Sequence, residues 1–417
     1  MATNGMRRTK LKDVCDRITV GHVGPMADKY TDEGVPFLRS QNITPFLLNL
    51  DDMKYVPPEF HAKLSKSALR PGDVAVVRTG YPGAACVIPD TFSELNCADL
   101  VVITPSKDLN PYYLAAIFNS AWGMASVAGN LVGVAQQHFN VGAARELEVQ
   151  LPPRKAQDRI AGTLSAYDEL IENSQRRIRI LEAMARALYR EWFVHFRYPG
   201  SEPSTRPAGH PSPSGRRAGD EGAQRSDIPK GWEVKRLGEV ADITMGLSPK
   251  GDTYNEDAEG IPLVNGPVEF GERFTKRVKW TTAPTKFCKE GDLVVCVRGS
   301  TTGRHVKSDG EYCLGRGVCG ISSEFQGFVE LLFENELPTL LGQTSGSTFP
   351  SWTGPQLKNH PVLSPPTELL ARFEALLKPM SDAVVAYALR IQILRQTRDL
   401  LLPRLLSGQV ELETEAA

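Results

Sequence analysis

The sequence predicts an α+β protein in which two tandem mixed α/β domains are separated by a long antiparallel two-helix coiled coil. Three observations lead to this fold class. A long helical pattern occurs twice, strand motifs near the start of the chain recur in its second half, and a segment rich in Pro, Gly and Ser lies between the copies. Repeats at a fixed spacing indicate duplicated structural units, so we expect an internal duplication.

The helical pattern is repeated with a constant shift. Position 177 begins Arg-Ile-Arg-Ile-Leu and position 390 begins Arg-Ile-Gln-Ile-Leu, so the second copy follows the first by 213 residues. The same shift carries the double proline at 152–153 onto the one at 365–366. Because proline is favoured at the first position of a helix, we expect each long helix to begin directly after its double proline.

Both helical copies have a seam at alternating spacings of three and four residues, as in the a and d positions of a heptad. The seams consist of Ile171, Ser174, Ile178, Leu181, Ala185, Leu188 and Trp192, and of Val384, Tyr387, Ile391, Leu394, Arg398, Leu401 and Leu405. We predict that the two seams bury each other; an ordinary helical hairpin in a globular core is the alternative. Pro379 and Pro403 lie inside the second pattern, where each is expected to kink or end the helix.

The duplication also includes the region before each helix. Residues 34–38 (GVPFL) are echoed by 260–264 (GIPLV), and residues 72–78 by 291–298. Between these anchors the copies diverge, as expected of one scaffold that carries two different sets of contact residues. Residues 199–228 have almost no large apolar side chain and predict a flexible linker.

These patterns predict six segments along the chain. They are a first domain at 1–153, a first long helix at 154–198, the linker at 199–228, a second domain at 229–366, a second long helix at 367–408 and an acidic tail at 409–417. Within the first domain, apolar runs predict strands at 73–79, 85–89, 100–104 and 147–151. An amphipathic pattern predicts one helix over residues 110–128.

Composition restricts the classes of function. The formal net charge of −1 argues against a protein that coats nucleic acid indiscriminately, although it allows a local basic face. No stretch approaches the ~18 uninterrupted apolar residues of a membrane span, and the N-terminal residues lack the apolar core of a secretory signal, so we expect a cytoplasmic protein. The seven cysteines include no Cys-x-x-Cys pair and the histidines are scattered, so we predict neither a bound metal nor a disulfide framework. No motif of the chain predicts a bound cofactor either.

Two short motifs resemble those of enzymes. Residues 315–320 match G-x-G-x-x-G, but a strand-like segment follows where the dinucleotide motif requires a helix. Residues 110–113 (NPYY) resemble the Asn-Pro-Pro-Tyr of amino-methyltransferases, but no glycine-rich cofactor loop precedes them, and an ordinary helix N-terminus is the simpler interpretation. No catalytic set is evident, which favours a binding or organising protein.

Polar loops that follow the matched strands suit the recognition of DNA bases. Arg, Gln, Asn, Ser and Thr are the side chains that match base edges in the major groove. The candidates in the first copy are Arg39, Ser40, Gln41, Asn42, Arg78, Thr79, Tyr81, Gln136, Gln137 and His138. The candidates in the second copy are Arg298, Ser300, Thr301, Thr302, Arg304, Gln343 and Ser347.

The whole arrangement resembles the specificity subunit of type I restriction-modification systems. Residues 151–160 (LPPRKAQDRI) are similar to that family's entry to the first long helix, as are Ile171-Glu-Asn173 and residues 186–193 (RALYREWF) to its later part. Residues 228–239 (IPKGWEVKRLGE) resemble the opening of its second recognition domain. One departure is the start of the second helix, which lacks a glutamine matching Gln157.

The resemblance implies a non-catalytic subunit with two target-recognition domains, each recognising one half of a bipartite, asymmetric site in double-stranded DNA. It also implies that the helices set the spacing and dock two methylation subunits, which restriction/translocase subunits join; adenosylmethionine, ATP and magnesium then belong to those partners. On this basis the seam residues are candidates for coiled-coil and partner contacts. A solitary or fused methyltransferase-specificity protein, and a regulatory relative that binds the methylation subunit without DNA, are the alternatives.

Overall fold

The computed structural model describes residues 6–131, 138–200, 228–344 and 350–410. The chain divides into two compact units: unit 1 contains Met1–Arg177 and Ala386–Ala417, and unit 2 contains Ile178–Val385. Apart from its first two residues and its last, the predicted linker lies outside the described residues, as does most of the acidic tail. In the ranges that are described, no helix combines the length and apolarity needed to cross a membrane.

Unit 1 is built from short strands and short helices followed by part of a long helix. Its strands are β1 (Arg7–Lys10), β2 (Cys15–Val20), β3 (Val35–Leu38), β4 (Ile43–Thr44), β5 (Leu47–Leu48), β6 (Lys54–Val56), β7 (Val74–Val77), β8 (Ala85–Val87), β9 (Asn96–Cys97), β10 (Leu100–Pro105) and β11 (Glu148–Leu151). Its helices are α1 (Pro58–Lys63), α2 (Pro111–Asn119), α3 (Ala121–Gly129), α4 (Val141–Glu146) and the first part of α5 (Arg154–Tyr189).

Unit 2 has the same kind of construction. Its strands are β12 (Glu233–Arg236), β13 (Asp242–Met245), β14 (Tyr254–Asn255), β15 (Ile261–Val264), β16 (Trp280–Thr281), β17 (Phe287–Cys288), β18 (Leu293–Cys296), β19 (His305–Lys307), β20 (Tyr312–Leu314), β21 (Val318–Ser322) and β22 (Pro361–Ser364). Its helices are α6 (Leu237–Val240), α7 (Gln326–Gly342), α8 (Gly354–Lys358) and the first part of α9 (Thr367–Leu406), whose remainder belongs to unit 1.

Each unit contains a four-stranded sheet with the same strand order. The order is β2-β10-β7-β8 in unit 1 and β13-β21-β18-β19 in unit 2. Neighbouring strands are antiparallel in both sheets. In both units the strand before the long helix pairs with the first strand of that unit, as β1-β11 and β12-β22. All residues of strands β7 and β18 are buried, as expected from the apolar runs at 74–77 and 293–296. The sequence duplication is therefore a duplication of sheet topology.

The long helices complete the hydrophobic core of each unit. In unit 1 the core around α2 and β10 includes Ile160 and Leu164 of α5 with Leu402 and Leu405 of α9. In unit 2 an aromatic core joins residues near the end of α5 to residues near the start of α9, in the contacts Tyr189–Phe373, Trp192–Phe373 and Phe193–Phe373. Within unit 1, Asp168 of α5 contacts Arg398 of α9 and the later Arg177 contacts the earlier Tyr387, so the two helices are antiparallel there.

Three local expectations need revision. The single helix expected over 110–128 is two helices, because the extended backbone of Ser120 ends α2. Ser120 then caps the start of α3, since its hydroxyl accepts a hydrogen bond from the amide of Gly123. The second long helix does not end at Pro379 or Pro403 but runs from Thr367 to Leu406. The first long helix ends its α-helical part at Tyr189 and continues as a π-helical turn over Arg190–Val194.

Candidate nucleic-acid interface

The predicted contact residues cluster at equivalent hairpins of the two sheets. In unit 1 the hairpin joins β7 to β8 and carries Arg78, Thr79 and Tyr81. In unit 2 it joins β18 to β19 and carries residues 298–304. A segment from later in each unit lies beside its hairpin, since the amide of Phe139 donates to the carbonyl of Arg78 and the amide of Trp352 donates to that of Val297. The two copies therefore offer unlike side chains at the same place in the fold.

Arg78 of unit 1 is held by an acid from the neighbouring strand connection. Its Nη1 lies 3.0 Å from Oδ1 of Asp99, whose Oδ2 accepts from the hydroxyl of Thr79 at 3.0 Å. Only 12% of the Arg78 side chain is exposed. Asp99 directly precedes Leu100, which pairs with Val77, and it has the left-handed φ of 55°. Such a backbone is uncommon outside glycine and is typical of constrained sites.

The second candidate loop of unit 1 follows β3 and is also neutralised. Arg39 Nη2 lies 3.1 Å from Oδ2 of Asp52, which also pairs with Lys54 at 2.8 Å. Hydrogen bonds from Lys54 and Arg39 lower the pKa of Asp52 to about 2. Asp52 also adopts a left-handed φ, of 49°. Aspartate adopts this left-handed conformation more readily than most residues, so Asp52 and Asp99 can occupy these backbone positions opposite Arg39 and Arg78.

The remaining residues of this loop differ in their accessibility. Gln41 is exposed and its Nε2 donates to Asp52 at 3.2 Å, while Ser40 is half-buried. Asn42 is fully buried, accepts from the amide of Arg39 at 3.0 Å and donates to the carbonyl of Asn49 at 3.0 Å. Asn42 therefore closes the loop and does not present a donor at the surface.

The surface of the unit 1 hairpin is dominated by Tyr81, which is 61% exposed. His138 lies beside Phe139 in the neighbouring segment and is half-buried. Gln136 and Gln137, which precede it, lie outside the described residues. An exposed aromatic ring beside polar loop residues suits stacking on a base or packing against a sugar.

The unit 2 hairpin carries more accessible positive charge. Arg298 and Arg304 are exposed, and neither forms an ion pair with any residue that the structure describes. Ser300 is exposed, whereas Thr301 and Thr302 are half-buried. The hydroxyl of Thr302 donates to the carbonyls of Gly299 and Pro350, each at 2.8 Å, so Thr302 shapes the turn. Gln343 is exposed at the end of α7, and Ser347 lies outside the described residues.

Sequence reasoning missed two basic residues next to this hairpin. The amide of Val297 donates to the carbonyl of Gly317, so Arg298 and Arg316 are the next residues on two neighbouring segments. The amide of Leu314 in turn donates to the carbonyl of Lys286. Arg316 and Lys286 are both exposed. The sequence signal for Arg316 lies in the G-x-G segment at 315–317, where a basic residue stands between two glycines.

The predicted seam residues face the interior of the units. Ile171, Ile178, Trp192 and Ile391 are buried, and Leu181, Leu188, Val384, Tyr387, Leu394 and Leu401 are half-buried. Within unit 1 the seam also has polar contacts: Arg177 Nη1 donates to the hydroxyl of Tyr387 at 2.8 Å, and Arg398 pairs with Asp168 at 2.7 Å. These side chains hold the chain's own helices together.

The exposed apolar residues of the long helices are different ones, and the seam pattern did not identify them. In unit 1 they are Leu170 of α5 and Leu389, Ile393 and Leu400 of α9, of which Ile393 is 62% exposed. In unit 2 they are Ile180 and Met184 of α5 and Leu376 and Val385 of α9. Apolar residues four apart on one helix share a face, so each unit has an apolar helix surface available for a partner.

The motifs that resembled enzymes have structural roles here. Asn110 caps α2 by accepting from the amides of Tyr112 and Tyr113 at 2.9 and 3.1 Å. Residues 315–320 lead from β20 directly into β21. No group of three or more potential ligands for a metal ion occurs among the residues described. Burial raises the pKa of Cys15 to about 12, so this thiol is not activated.

The duplicated fold and its two loop sets are typical of proteins that recognise DNA sequence through paired domains. The chain belongs to the type I restriction-modification DNA specificity family, whose domain model, described as "Type I restriction modification DNA specificity domain", matches residues 5–183 and 229–369. The two matched regions correspond to the two copies found in the sequence.

Relatives of similar length carry related names. A protein of Methanocaldococcus jannaschii, provisionally named type I restriction enzyme MjaX specificity subunit, is 24% identical over 424 residues and covers 97% of this chain and 94% of its own. The type I restriction enzyme MjaIX specificity subunit of the same organism is 27% identical over 282 residues, or 64% of this chain and 62% of its own. The crystal structure of a type I restriction-modification S subunit from M. genitalium has the same fold, with a TM-score of 0.58, 14% identity and 97% of both chains covered.

Proposed function

We propose that this chain is the non-catalytic specificity subunit of a type I restriction-modification enzyme and that it recognises a bipartite, asymmetric DNA site. In this proposal the domain at 1–153 recognises one half of the site and the domain at 229–366 recognises the other. The observation that carries it is the equivalent placement of two unlike hairpins, β7–β8 and β18–β19, on sheets of identical strand order. Similar scaffolds with different contact residues suit two different half-sites.

The chemistry of the hairpins supports DNA as the ligand. Arg298 and Arg304 can donate to guanine edges or to phosphates, and Ser300 can contact either. Tyr81 adds an exposed ring in unit 1. The remaining candidates, including Gln343 and His138, lie on segments next to the hairpins or at the end of α7.

We further propose that α5 and α9 set the distance between the half-sites and dock two methylation subunits, which restriction/translocase subunits join. The exposed apolar residues Leu389, Ile393 and Leu400 support this assignment, because a solvent-exposed apolar surface on a long helix is typical of a protein interface. Adenosylmethionine, ATP and magnesium would then be bound by the partners.

Selection from a random duplex library, with the chain in complex with its methylation subunit, tests the recognition proposal. We expect an enriched sequence of two short half-sites separated by a spacer of constant length and variable sequence. Arg304→Ala should relax the sequence of one half only, and Tyr81→Ala that of the other half. Enrichment of one uninterrupted sequence, or of none at matched salt, would contradict the proposal.

A binding measurement distinguishes the main alternative. A solitary or fused methyltransferase-specificity protein requires its own cofactor site, so calorimetric titration of the isolated chain with adenosylmethionine would show saturable binding. We expect no binding until the methylation subunit is added. The matched measurement on the complex, which should bind the cofactor, confirms that the ligand and conditions are competent.

A further inference from the structure

The two units differ in how the arginines near their hairpins are balanced by acids. Beyond the paired residues Val77 and Leu100 of unit 1, the next residues are Arg78 and Asp99, which form an ion pair of 3.0 Å. Beyond Cys296 and Val318 of unit 2, the next residues are Val297 and Gly317, and one residue further each segment carries an exposed arginine. These are Arg298 and Arg316.

The fold of unit 2 excludes an acid at the position of Asp99. The corresponding residue, next to the start of β21, is Gly317, and a Cβ there would meet the carbonyl oxygen of Asn265. Asp99 of unit 1 has room for its side chain, which receives bonds from both Arg78 and Thr79. The difference in charge is therefore built into the backbone of each unit.

A second loop shows the same difference. In unit 1, Arg39 pairs with Asp52, which also binds Lys54. In unit 2 the residue after the matched strand β15 is Asn265, so no arginine needs to be balanced there. Lys286 of unit 2 is exposed and, among the residues described, forms no ion pair. Charge is thus compensated on the candidate surface of unit 1 and uncompensated on that of unit 2.

We infer that the two units contribute unequally to DNA binding. Unit 2 binds the phosphate backbone through Arg298, Arg316 and Lys286, whereas in unit 1 the ion pair with Asp99 prevents Arg78 from binding a phosphate. This inference rests on the proposed function. A paired arginine must lose its acid before it can bind a phosphate, and it displaces few counterions if the acid stays. A free arginine releases a counterion for each phosphate it neutralises, so unit 2 supplies most of the salt-dependent affinity. Unit 1 contributes mainly through contacts that depend on sequence.

The dependence of affinity on salt tests this division. The probe is a fluorescently labelled mixed-sequence duplex, titrated with the full chain in complex with its methylation subunit over a series of salt concentrations. We expect Arg298→Ala and Arg316→Ala each to reduce the slope of log K against log salt by about one. We expect Arg78→Ala to leave the slope unchanged. All three side chains are replaced by the same residue, so the variants are directly comparable.

Asp99→Asn provides the opposite test. Asparagine tolerates the left-handed backbone and can still accept from Thr79, so the fold is expected to survive. Release of Arg78 should then raise both the affinity for the mixed-sequence duplex and the slope. Lys230→Ala is the control, since Lys230 is an exposed base of unit 2 beside Gly231 and Pro366, away from the hairpin segments.

Two results would overturn the inference while leaving the proposed function intact. One is an equal loss of slope in Arg78→Ala and Arg316→Ala, and the other is an unchanged slope in Asp99→Asn. Failure of the proposed function itself has a different signature, because the wild-type complex would then either not bind the duplex or show no sequence preference in selection from the random duplex library. Circular dichroism of each variant separates a folding defect from a loss of contacts.

Discussion

Arg398 Nη1 donates to Asp168 Oδ1 at 2.7 Å, joining α9 to α5 inside unit 1. Only 8% and 15% of the two side chains are exposed. The Arg398 guanidinium also lies 4.2 Å from the ring centre of Phe46, on the β4–β5 hairpin. This charged residue occupies a position of the seam that is otherwise largely apolar. A buried pair of this kind favours one register of two helices over the alternatives, because any other register leaves a charge unpaired.

Removal of one partner of this pair should therefore be costly. We expect Asp168→Ala to lower the free energy of unfolding by about 1–3 kcal/mol, because the buried Arg398 then keeps only Asp399, an exposed acid 2.9 Å from its Nη2. The double replacement Asp168→Leu with Arg398→Leu should be close to neutral, since no charged pair remains in the seam. Denaturant unfolding of both variants measures this difference. Equal losses in both would show that packing, and not the weakly compensated charge, determines the cost.

The proposed spacing role of the helices leads to a second prediction. Arg177 contacts Tyr387, so residues 172–178 and 387–393 are facing heptads of α5 and α9 in this part of the chain. Duplicating both segments in tandem preserves the heptad phase, keeps Leu389 and Ile393, and lengthens the helix pair by about 10 Å. We expect a DNA spacer that is longer by up to about three base pairs at ~3.4 Å each, with both half-sites unchanged.

Selection from the random duplex library, performed on the lengthened protein with its methylation subunit, measures the spacer. Duplication of 172–178 alone is the control, because it breaks the facing register and should reduce assembly. An unchanged spacer in the double duplication would refute the spacing role.

The sequence predicted the repeated parts of the fold better than the contacts of the candidate site. Strand and seam patterns depend on local periodicity, and residues such as Ile171 and Ile178 are buried as that periodicity requires. The pairs Arg78–Asp99 and Arg39–Asp52 depend on the register of strands and turns, which periodicity does not fix. The residue that replaces Gln157 in the second copy also depends on tertiary contacts that periodicity does not fix.

Gln157 is buried and joins α5 to the start of α2. Its Oε1 accepts from the amide of Asn110 at 2.9 Å, and its Nε2 donates to the carbonyl of Pro152 at 2.9 Å. In unit 2 this task belongs to Glu374, one turn later in its helix, whose Oε1 accepts from the amide of Phe328 at 2.7 Å. The second helix therefore keeps its connection to the domain through a different residue, which no alignment of the two copies by position would identify.

A third prediction concerns the pH dependence of unit 2. Burial opposes the charged form of His305, but the nearby Glu334 carboxylate and the hydrogen bond to the carbonyl of Gly303 outweigh burial and raise its pKa above the ordinary histidine value of 6.5. The folded state then binds more protons than the unfolded state over the window that begins near pH 6.5. The stabilisation is complete below that pH and is lost as the pH rises through the folded pKa.

We expect His305→Gln to reduce the difference in thermal stability between about pH 6 and about pH 8. Glu334→Gln should have a similar effect, because it removes the group that favours the charged imidazole. Glu330 also has a raised pKa, caused by burial, and the pH window of its effect begins lower, near the ordinary glutamate value of 4.5. A pH profile identical to that of the wild type in both variants would contradict this assignment.

The exposed apolar face of α9 supports a final prediction about assembly. Leu389 and Ile393 are 54% and 62% exposed and lie four residues apart, so they share one face of the helix within unit 1. If this face docks the methylation subunit, Ile393→Asp places an unpaired charge in an apolar interface and should abolish or strongly weaken the complex. Because Ile393 is largely exposed in the chain itself, the free energy of unfolding should change by only about 0.5 kcal/mol.

Gln392→Asp is the matched control, since Gln392 is exposed, adjoins Ile393 and points from a different side of the same helix turn. Size-exclusion chromatography with the methylation subunit should then separate the two variants: Gln392→Asp co-elutes as a complex and Ile393→Asp does not. Leu394→Asp would fail for another reason, because Leu394 belongs to the half-buried seam and its replacement destabilises the chain. Normal assembly of Ile393→Asp would assign the docking surface to the other exposed apolar residues, first to Ile180 and Met184 of unit 2.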